Sequence, residues 1–231
     1  MTLSEEWETT YREGRQAIRW PWSDVVSLVT RHARPGPGYR VLELGCGSGA
    51  NIPFFKATEC DYYSVEGSPT AVQHAWEAHP DLRTQIVLGD LTRRLPVPGE
   101  FDLILDRAAL AHNASAGIRR ALSLAHRKLR TDGRFIGVDW YSTLHMDFPG
   151  GEPGDDANTR TGYRDGPFAG LGPVHFSDER HLLDLFEGFE MLVLEHKVVE
   201  HRIPNDGWKI ATWNFVARKS TSCMPDQGWG R

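Results

Sequence analysis

Cysteine is scarce and odd in number in this chain of 231 residues: Cys46, Cys60 and Cys223, at spacings that suit no metal centre. So sparse a set builds no disulfide framework and fits a reducing compartment. Basic charge is not in excess either. Lys and Arg number 26 against 31 Asp and Glu, a net charge of −5. A dedicated nucleic-acid or membrane-surface binder would carry a basic footprint instead. Apolar runs are short: none approaches the ~18 residues of a membrane span. The acidic opening, residues 1–6, has no apolar core of a secretory signal. No internal repeat is present. These absences lead us to expect a cytoplasmic protein without nucleic-acid or membrane partners, its oligomeric state left open.

Glycine, by contrast, is concentrated where it counts. The run Val41-Leu42-Glu43-Leu44-Gly45-Cys46-Gly47-Ser48-Gly49-Ala50 climbs a short apolar strand and then places three glycines in five positions. Glycine lets the backbone pass close to a ligand because it lacks a Cβ and tolerates positive φ. A helix following such a turn aims unpaired N–H groups and a positive dipole end at whatever sits there. A nucleotide-like cofactor therefore belongs above residues 45–50. The same run satisfies the looser dinucleotide fingerprint, so a nicotinamide cofactor is a competing reading.

The rest of the chain alternates between strand and helix patterns. Residues 4–18 read as an amphipathic helix capped by Ser4 and interrupted at Gly14, and Ser23 as the cap of a second helix. Residues 34–38, Arg-Pro-Gly-Pro-Gly, are a stop and linker. Strands follow at 40–44, 61–66, 85–89, 101–106 and 134–139, with helices at 49–57, 69–78 and 115–130 and a turn at Asp132-Gly133. Such alternation predicts a parallel sheet covered on both faces, with ligands beyond the carboxyl ends of its strands. Between 149 and 173, eleven of 25 residues are Gly or Pro, the composition of a lid or binding loop. A last helix lies between Ser177 and Gly188. Strands at 189–199 and 208–218, joined by the turn Asn205-Asp206-Gly207, form an antiparallel hairpin at the end of the sheet. The expected domains are an N-terminal helical cap (1–36), an α/β domain (37–219) with a lid insertion at about 141–176, and a flexible tail (220–231).

Three carboxylates refine the cofactor. Glu43 stands two residues before the first glycine, Glu66 closes the second strand and Asp90 follows the third. Three successive strands that each end in an acid surround a cationic or hydroxyl-rich ligand better than a pyrophosphate. With this combination the chain resembles the class I S-adenosylmethionine-dependent methyltransferases, over roughly residues 37–218. The resemblance implies a Rossmann-like three-layer αβα sandwich, its seven-stranded sheet mostly parallel with a final antiparallel strand. It implies S-adenosylmethionine as cofactor, held by Gly45, Cys46, Gly47 and Gly49 beneath ribose and methionine, with Glu43 near the ammonium. Glu66, with Gly67 and Ser68, would take the ribose hydroxyls, and Asp90 and Leu91 the adenine; Asp106 closes the set.

The activity implied is methyl transfer to a small soluble metabolite, with oxygen preferred over nitrogen as acceptor. Asp106, Arg107 and His112 are the catalytic candidates, since members of this family carry an acid at the fourth strand end and a His soon after. The plainer alternatives stay open: Asp106 as a helix cap paired with Arg107, and His112 as a half-buried structural histidine. No metal is expected, although Asp106 beside Asp139 would be the place for one. Trp20, Trp22, Trp140, Tyr141, His145, Tyr163 and His175 are the candidate acceptor contacts. No Asn/Asp-Pro-Pro-aromatic motif follows the fourth strand, which speaks against amino methylation of DNA bases. A noncatalytic cofactor-binding module is the second competing reading.

Overall fold

The structure, a computed structural model, describes residues 4–16 and 18–220. Ala17, Cys223 and the rest of the expected tail, 221–231, lie outside the described residues.

Five short apolar strands form the parallel part of the sheet: β1 (Arg40–Leu44), β2 (Asp61–Glu66), β3 (Ile86–Leu88), β4 (Phe101–Arg107) and β5 (Leu129–Tyr141). Three β-strands of the lid region follow, β6 (Glu152–Pro153), β7 (Thr159–Thr161) and β8 (Val174–His175), and then the closing pair β9 (Phe189–Glu200) and β10 (Lys209–Lys219). Among the described residues the main sheet has seven strands in the order β3-β2-β1-β4-β5-β10-β9. β10 runs antiparallel to both β5 and β9. Nicotinamide-dinucleotide domains have an all-parallel order instead.

The helices are α1 (Glu5–Arg12), α2 (Ser23–His32), α3 (Ile52–Ala57), α4 (Pro69–Ala78), α5 (Ser115–Lys128) and α6 (Glu179–Leu185). One core layer joins Ile104, Phe135 and Trp140 to Ile118, Leu122 and Leu182 on α5 and α6. The other joins Leu103, Leu105, Ile136 and Val138 to Val25, Leu28, Phe55 and Val72 on α2, α3 and α4. Alternate residues of each strand thus feed opposite layers, as the pleat requires. Each fully buried Leu or Phe contributes ~1.5–3 kcal/mol of transfer free energy.

Local chemistry corrects several boundaries. Ser4 caps α1, accepting from the backbone N–H of Trp7. Ser23 does not cap α2: the cap position is Trp22, whose N–H donates to Asn51 Oδ1 at 3.2 Å. Helix α3 starts at Ile52 rather than 49, because Gly45, Gly47 and Gly49 have φ of 71°, 55° and 90°, outside the helical region. The turn expected at Asp132-Gly133 is a kink within β5, with Asp132 at φ 61°.

The Gly/Pro-rich segment is not structureless. Residues 152–175 fold into a three-stranded sheet, β6-β7-β8. This small sheet has its own apolar cluster, Phe168, Leu171, Val174 and Phe176, against which Trp7, Tyr141, Phe148 and Tyr163 pack. Ser142 also bridges to Ser177 in parallel, closing the insertion at its base.

Candidate active site

The carboxyl ends of β1, β2, β3 and β4 open into one cavity of about 1190 Å³. Its floor is the glycine turn. A Cβ added to Gly45 would lie 2.4 Å from Ala109 Cβ, and one on Gly47 would lie 2.5 Å from the Tyr11 hydroxyl. Both positions also have positive φ, so glycine is required twice over. Glu66 is buried at the end of β2. Its Oε2 accepts from Gly47 N and its Oε1 from Ser68 N, each at 2.8 Å. Burial pushes its pKa up against those two bonds. Each oxygen keeps a further lone pair for a ligand hydroxyl.

Glu43 is likewise buried, accepting from Asn51 Nδ2 at 2.7 Å and from the Tyr62 hydroxyl at 2.6 Å. Burial raises its pKa to about 7. Asp90 accepts at 2.8 Å from Thr92 N and at 2.7 Å from its hydroxyl, with Leu91 beside it on the cavity wall. Cys46, Gly67 and Ser68 line the same end of the cavity. Gly49 does not reach the cavity; it sits behind the turn against Ile52 and His79.

Helix α1 lies across the same end. Glu8 accepts from the hydroxyls of Ser68 (2.6 Å) and Thr70 (2.5 Å) and from Thr70 N, and Ser48 Oγ donates to Gln16 O at 3.1 Å. Tyr11 thereby rests over Gly47, and burial, reinforced by Glu66, holds its phenol well above the ordinary pKa. Tyr11, Trp7 and Asn51 line the cavity and were not singled out as site residues from sequence. Asn51 follows the glycine run directly, a position that could have flagged it; an α1 side chain carries no comparable signal.

The fourth strand end divides by parity. Asp106 is fully buried and does not line the cavity. It faces the α5–α6 layer, where its Oδ1 accepts from Leu110 N (3.1 Å) and its Oδ2 from Trp140 Nε1 (2.7 Å). Burial raises its pKa to about 7. The expectation of an acid at the reacting centre is therefore overturned for Asp106: it holds the first N–H of the short 3₁₀ turn at Leu110–His112, whose cap position is Ala109. It does not pair with Arg107 either. Arg107 points to the other face, into the cavity, and donates to Asp139 Oδ2 at 3.1 Å while stacking 3.6 Å over the Trp22 ring. Lys197 on β9 binds Asp139 Oδ1 at 2.6 Å and also contacts Asp24. Asp106 and Asp139 thus serve separate networks and do not converge on a cation.

His112 does line the cavity. Its Nδ1 lies 3.3 Å from the Pro173 carbonyl oxygen. A carbonyl only accepts, so Nδ1 carries the proton and Nε2 keeps the lone pair. Desolvation lowers its pKa to about 4. Trp7 meets the imidazole edge-on with centroids 4.7 Å apart, and Tyr141 does so at 6.0 Å.

Of the expected acceptor contacts, Trp22, Tyr141 and His145 line the cavity. Four others do not. Trp20 is 80 % exposed. Tyr163 donates to Asp147 O at 2.9 Å and packs within the lid cluster. His175 is buried under the lid, bonded to Thr159 Oγ1 at 3.1 Å and to His181 Nε2 at 3.0 Å. Trp140 points into the core because β5 is bulged beside it. Pairing with β10 shifts register between Trp213 and Phe215, and Asp139 adopts φ 55°. The bulge moves Trp140 onto the face of Phe135 and leaves Tyr141 for the cavity, a common use of such an irregularity.

Residues 42–137 match the family model described as a methyltransferase domain. Protein-L-isoaspartate O-methyltransferase 2 of Rhodopseudomonas palustris (strain HaA2) is 35% identical over 99 residues, which is 42% of this chain and 45% of that protein. The chain spans less than two thirds of the length of the curated relatives it matches. A solved SAM-dependent methyltransferase from Methanosarcina mazei is 19% identical with a TM-score of 0.65, covering 82% of this chain and 96% of that one. The 1,6-didemethyltoxoflavin-N1-methyltransferase of Burkholderia thailandensis is 18% identical with a TM-score of 0.59, covering 95% and 88%. Sheet order, glycine turn and family match agree: this chain carries a methyltransferase domain on the class I S-adenosylmethionine-dependent methyltransferase fold.

Proposed function

We propose that the protein transfers a methyl group from S-adenosylmethionine to a small-molecule acceptor, with oxygen preferred over nitrogen. The observation that carries this reading is the junction of two unlike halves in one cavity. A glycine turn with Glu43, Glu66 and Asp90 stands at one end, and an aromatic chamber around Tyr141 and His112 at the other. The first half fits the cofactor, since its glycine turn leaves no room for side chains and Glu66 presents two oxygens at spacing suited to vicinal hydroxyls. When bound, S-adenosylmethionine supplies an already activated methyl on a sulfonium. The chain's own residues then need mainly to align the acceptor and keep out water. His112 Nε2 is placed to take the acceptor's proton, and its lowered pKa keeps that lone pair free above pH ~5. The net charge of −5 supports a small acceptor rather than a nucleic acid.

Calorimetry with S-adenosylhomocysteine and with NADH tests the cofactor, and transfer of a labelled methyl to a panel of hydroxylated and amino compounds tests the activity. Binding of the homocysteine nucleoside but not NADH, with label in an acceptor, is expected. NADH binding alone would replace this reading with an oxidoreductase, and cofactor binding without transfer to any acceptor would replace it with a noncatalytic module.

A further inference from the structure

His112 stands on a turn whose backbone is fixed by its neighbours and whose ring is not. Asp106 Oδ1 accepts from Leu110 N at the start of this three-residue 3₁₀ turn, and Asn113 Nδ2 donates to Leu110 O at 3.2 Å. Neither touches the imidazole. Trp7 and Tyr141 pack edge-on against it, and such packing does not choose between the two ring nitrogens. Among the described residues the ring's only hydrogen bond goes to the lid, to the Pro173 carbonyl just before β8. Nε2 is left without a partner and open to the cavity.

The same lid grips the chain a few residues beyond His112. Helix α5 begins at Ser115, and its cap position, Ala114, has no side chain that can accept. Asp156, in the turn between β6 and β7, supplies the missing acceptor: its Oδ2 takes Ser115 N at 2.7 Å. A carboxylate is favoured there by the free N–H groups and the dipole of the helix start. Its Oδ1 accepts from Asn158 N at 2.9 Å and from Thr159 Oγ1 at 3.0 Å, so Asp156 is braced by the strand that follows it. From there the connection to Pro173 is continuous. Thr159 pairs with His175 and Arg160 with Val174 in the β7–β8 ladder, and Phe176 N donates to Asn158 O at 2.8 Å. His175 Nε2 meets His181 Nε2 of α6 at 3.0 Å, a further tie between β8 and the body. Asp156 and Pro173 thus belong to one hydrogen-bonded piece, and it holds both ends of the short stretch from His112 to Ser115.

What this does to the base depends on which nitrogen carries the proton. A carbonyl oxygen only accepts, so the bond to Pro173 keeps the proton on Nδ1 and a lone pair on Nε2. A histidine side chain free in water prefers the opposite tautomer, in which Nε2 is protonated and has no lone pair to offer. We propose, resting on the methyltransferase reading above and its assignment of His112 as base, that the lid sets the tautomer of this histidine. Asp156 is a positioning residue: it docks the lid on α5, and the docked Pro173 carbonyl holds His112 in the one form that can take a proton from the acceptor. When the methyl replaces the proton on the acceptor oxygen, that proton passes to the Nε2 lone pair. The positive charge lost by the donor then rests on the imidazolium, which still donates from Nδ1 to Pro173. Docking of the lid and readiness of the base are one event, so the base is ready only when water is shut out.

Proton–nitrogen NMR of the imidazole side chains tests this on the full chain saturated with S-adenosylhomocysteine at pH ~7.5, where His112 is neutral. His112→Gln identifies the signals of this residue by their loss. The unaltered protein is expected to show His112 with its proton on Nδ1. Asp156→Ala is expected to move those signals toward the tautomer protonated on Nε2. It should also speed amide exchange at Ser115 about fivefold or more, as a lost helix cap does. Affinity for S-adenosylhomocysteine should stay within about twofold, since Asp156 lies outside the cavity. Asp156→Asn keeps an oxygen that can accept from Ser115 N and is expected to restore the Nδ1 form. A proton on Nε2 in the unaltered protein would overturn the proposal with no variant needed. So would an unchanged His112 pattern in Asp156→Ala, or exchange at Ser115 as slow as before. Absence of any heat with S-adenosylhomocysteine in calorimetry would instead overturn the methyltransferase reading, a result separate from every tautomer pattern.

Discussion

Two carboxylates at the ends of strands on either side of β1 have opposite fates, and a single step of strand parity separates them. Glu66 ends β2 with both oxygens at the rim of the cavity, bonded to Gly47 N and Ser68 N. Asp106 lies near the end of β4 on the face of Ile104, so it turns into the α5–α6 layer and binds Trp140 instead. Glu66 therefore has two duties, bracing the glycine turn and offering its remaining lone pairs to ribose hydroxyls. The change Glu66→Gln separates them. One oxygen remains to accept, but the new amide places its own donors against a backbone N–H and against the ligand hydroxyls. Loss of one charge-assisted acceptor costs ~1.5–3 kcal/mol, about a tenfold loss of affinity or more. Calorimetry with S-adenosylhomocysteine measures it, and unchanged affinity would reduce Glu66 to a brace of the loop.

At the scale of elements, α1 and the β6-β7-β8 insertion close the cavity from two sides; the sequence set both segments apart, as a cap and a lid, but not the contacts that hold them. Glycine and proline density marked residues 149–173 as unusual, but the three short strands and their phenylalanine cluster depend on contacts with Trp7 and Tyr141 far away in the chain. The mostly parallel sheet, its closing hairpin and the acids at the ends of β1, β2 and β3 were legible because each rests on a local pattern of a few residues. Lys197 and Thr212 were not, because they reach the site only through the register of β9 and β10 with β5. Trp140 was misplaced for a related reason: alternation along β5 holds until the bulge at Asp139 reverses it. Helix α1 has only eight residues, too short to be stable alone, so its contacts must hold it down. Glu8 is the main polar one, with bonds to Ser68 and Thr70 at the start of α4. Glu8→Ala is expected to speed amide hydrogen exchange throughout α1 about tenfold or more, the equivalent of ~1.4 kcal/mol. Protection in β1, β4 and β5 should not change. Equal exchange rates in the two proteins would show that Trp7 and Tyr11 packing alone holds the helix.

Across the whole molecule, buried titratable groups pull stability in opposite directions as pH changes. Burial raises Glu43 and Asp106 to about 7, so between pH ~4 and ~7 the folded state binds more protons there than the unfolded chain. Their contribution falls as pH rises through that window. Burial lowers His112 and His175 to about 4, so between pH ~4 and ~6.5 the folded state binds fewer protons at these sites. Their contribution is complete above pH ~6.5 and is lost as pH falls toward 4. The opposed slopes flatten the stability curve of the intact protein, and removing one histidine exposes the imbalance. His175 suits the purpose because it lies under the lid, outside the catalytic cavity, facing Thr159, His181 and Asp156. His175→Gln loses packing at every pH but also loses the penalty for protonation in acid. Its deficit against the original protein in urea unfolding should therefore be smaller at pH 5 than at pH 7.5, by on the order of 1–2 kcal/mol. A deficit that is constant, or larger in acid, would mean that His175 takes up a proton under the lid at no cost. The neighbouring Asp156 carboxylate would then be compensating for burial, and the lid would gain rather than lose hold as pH falls.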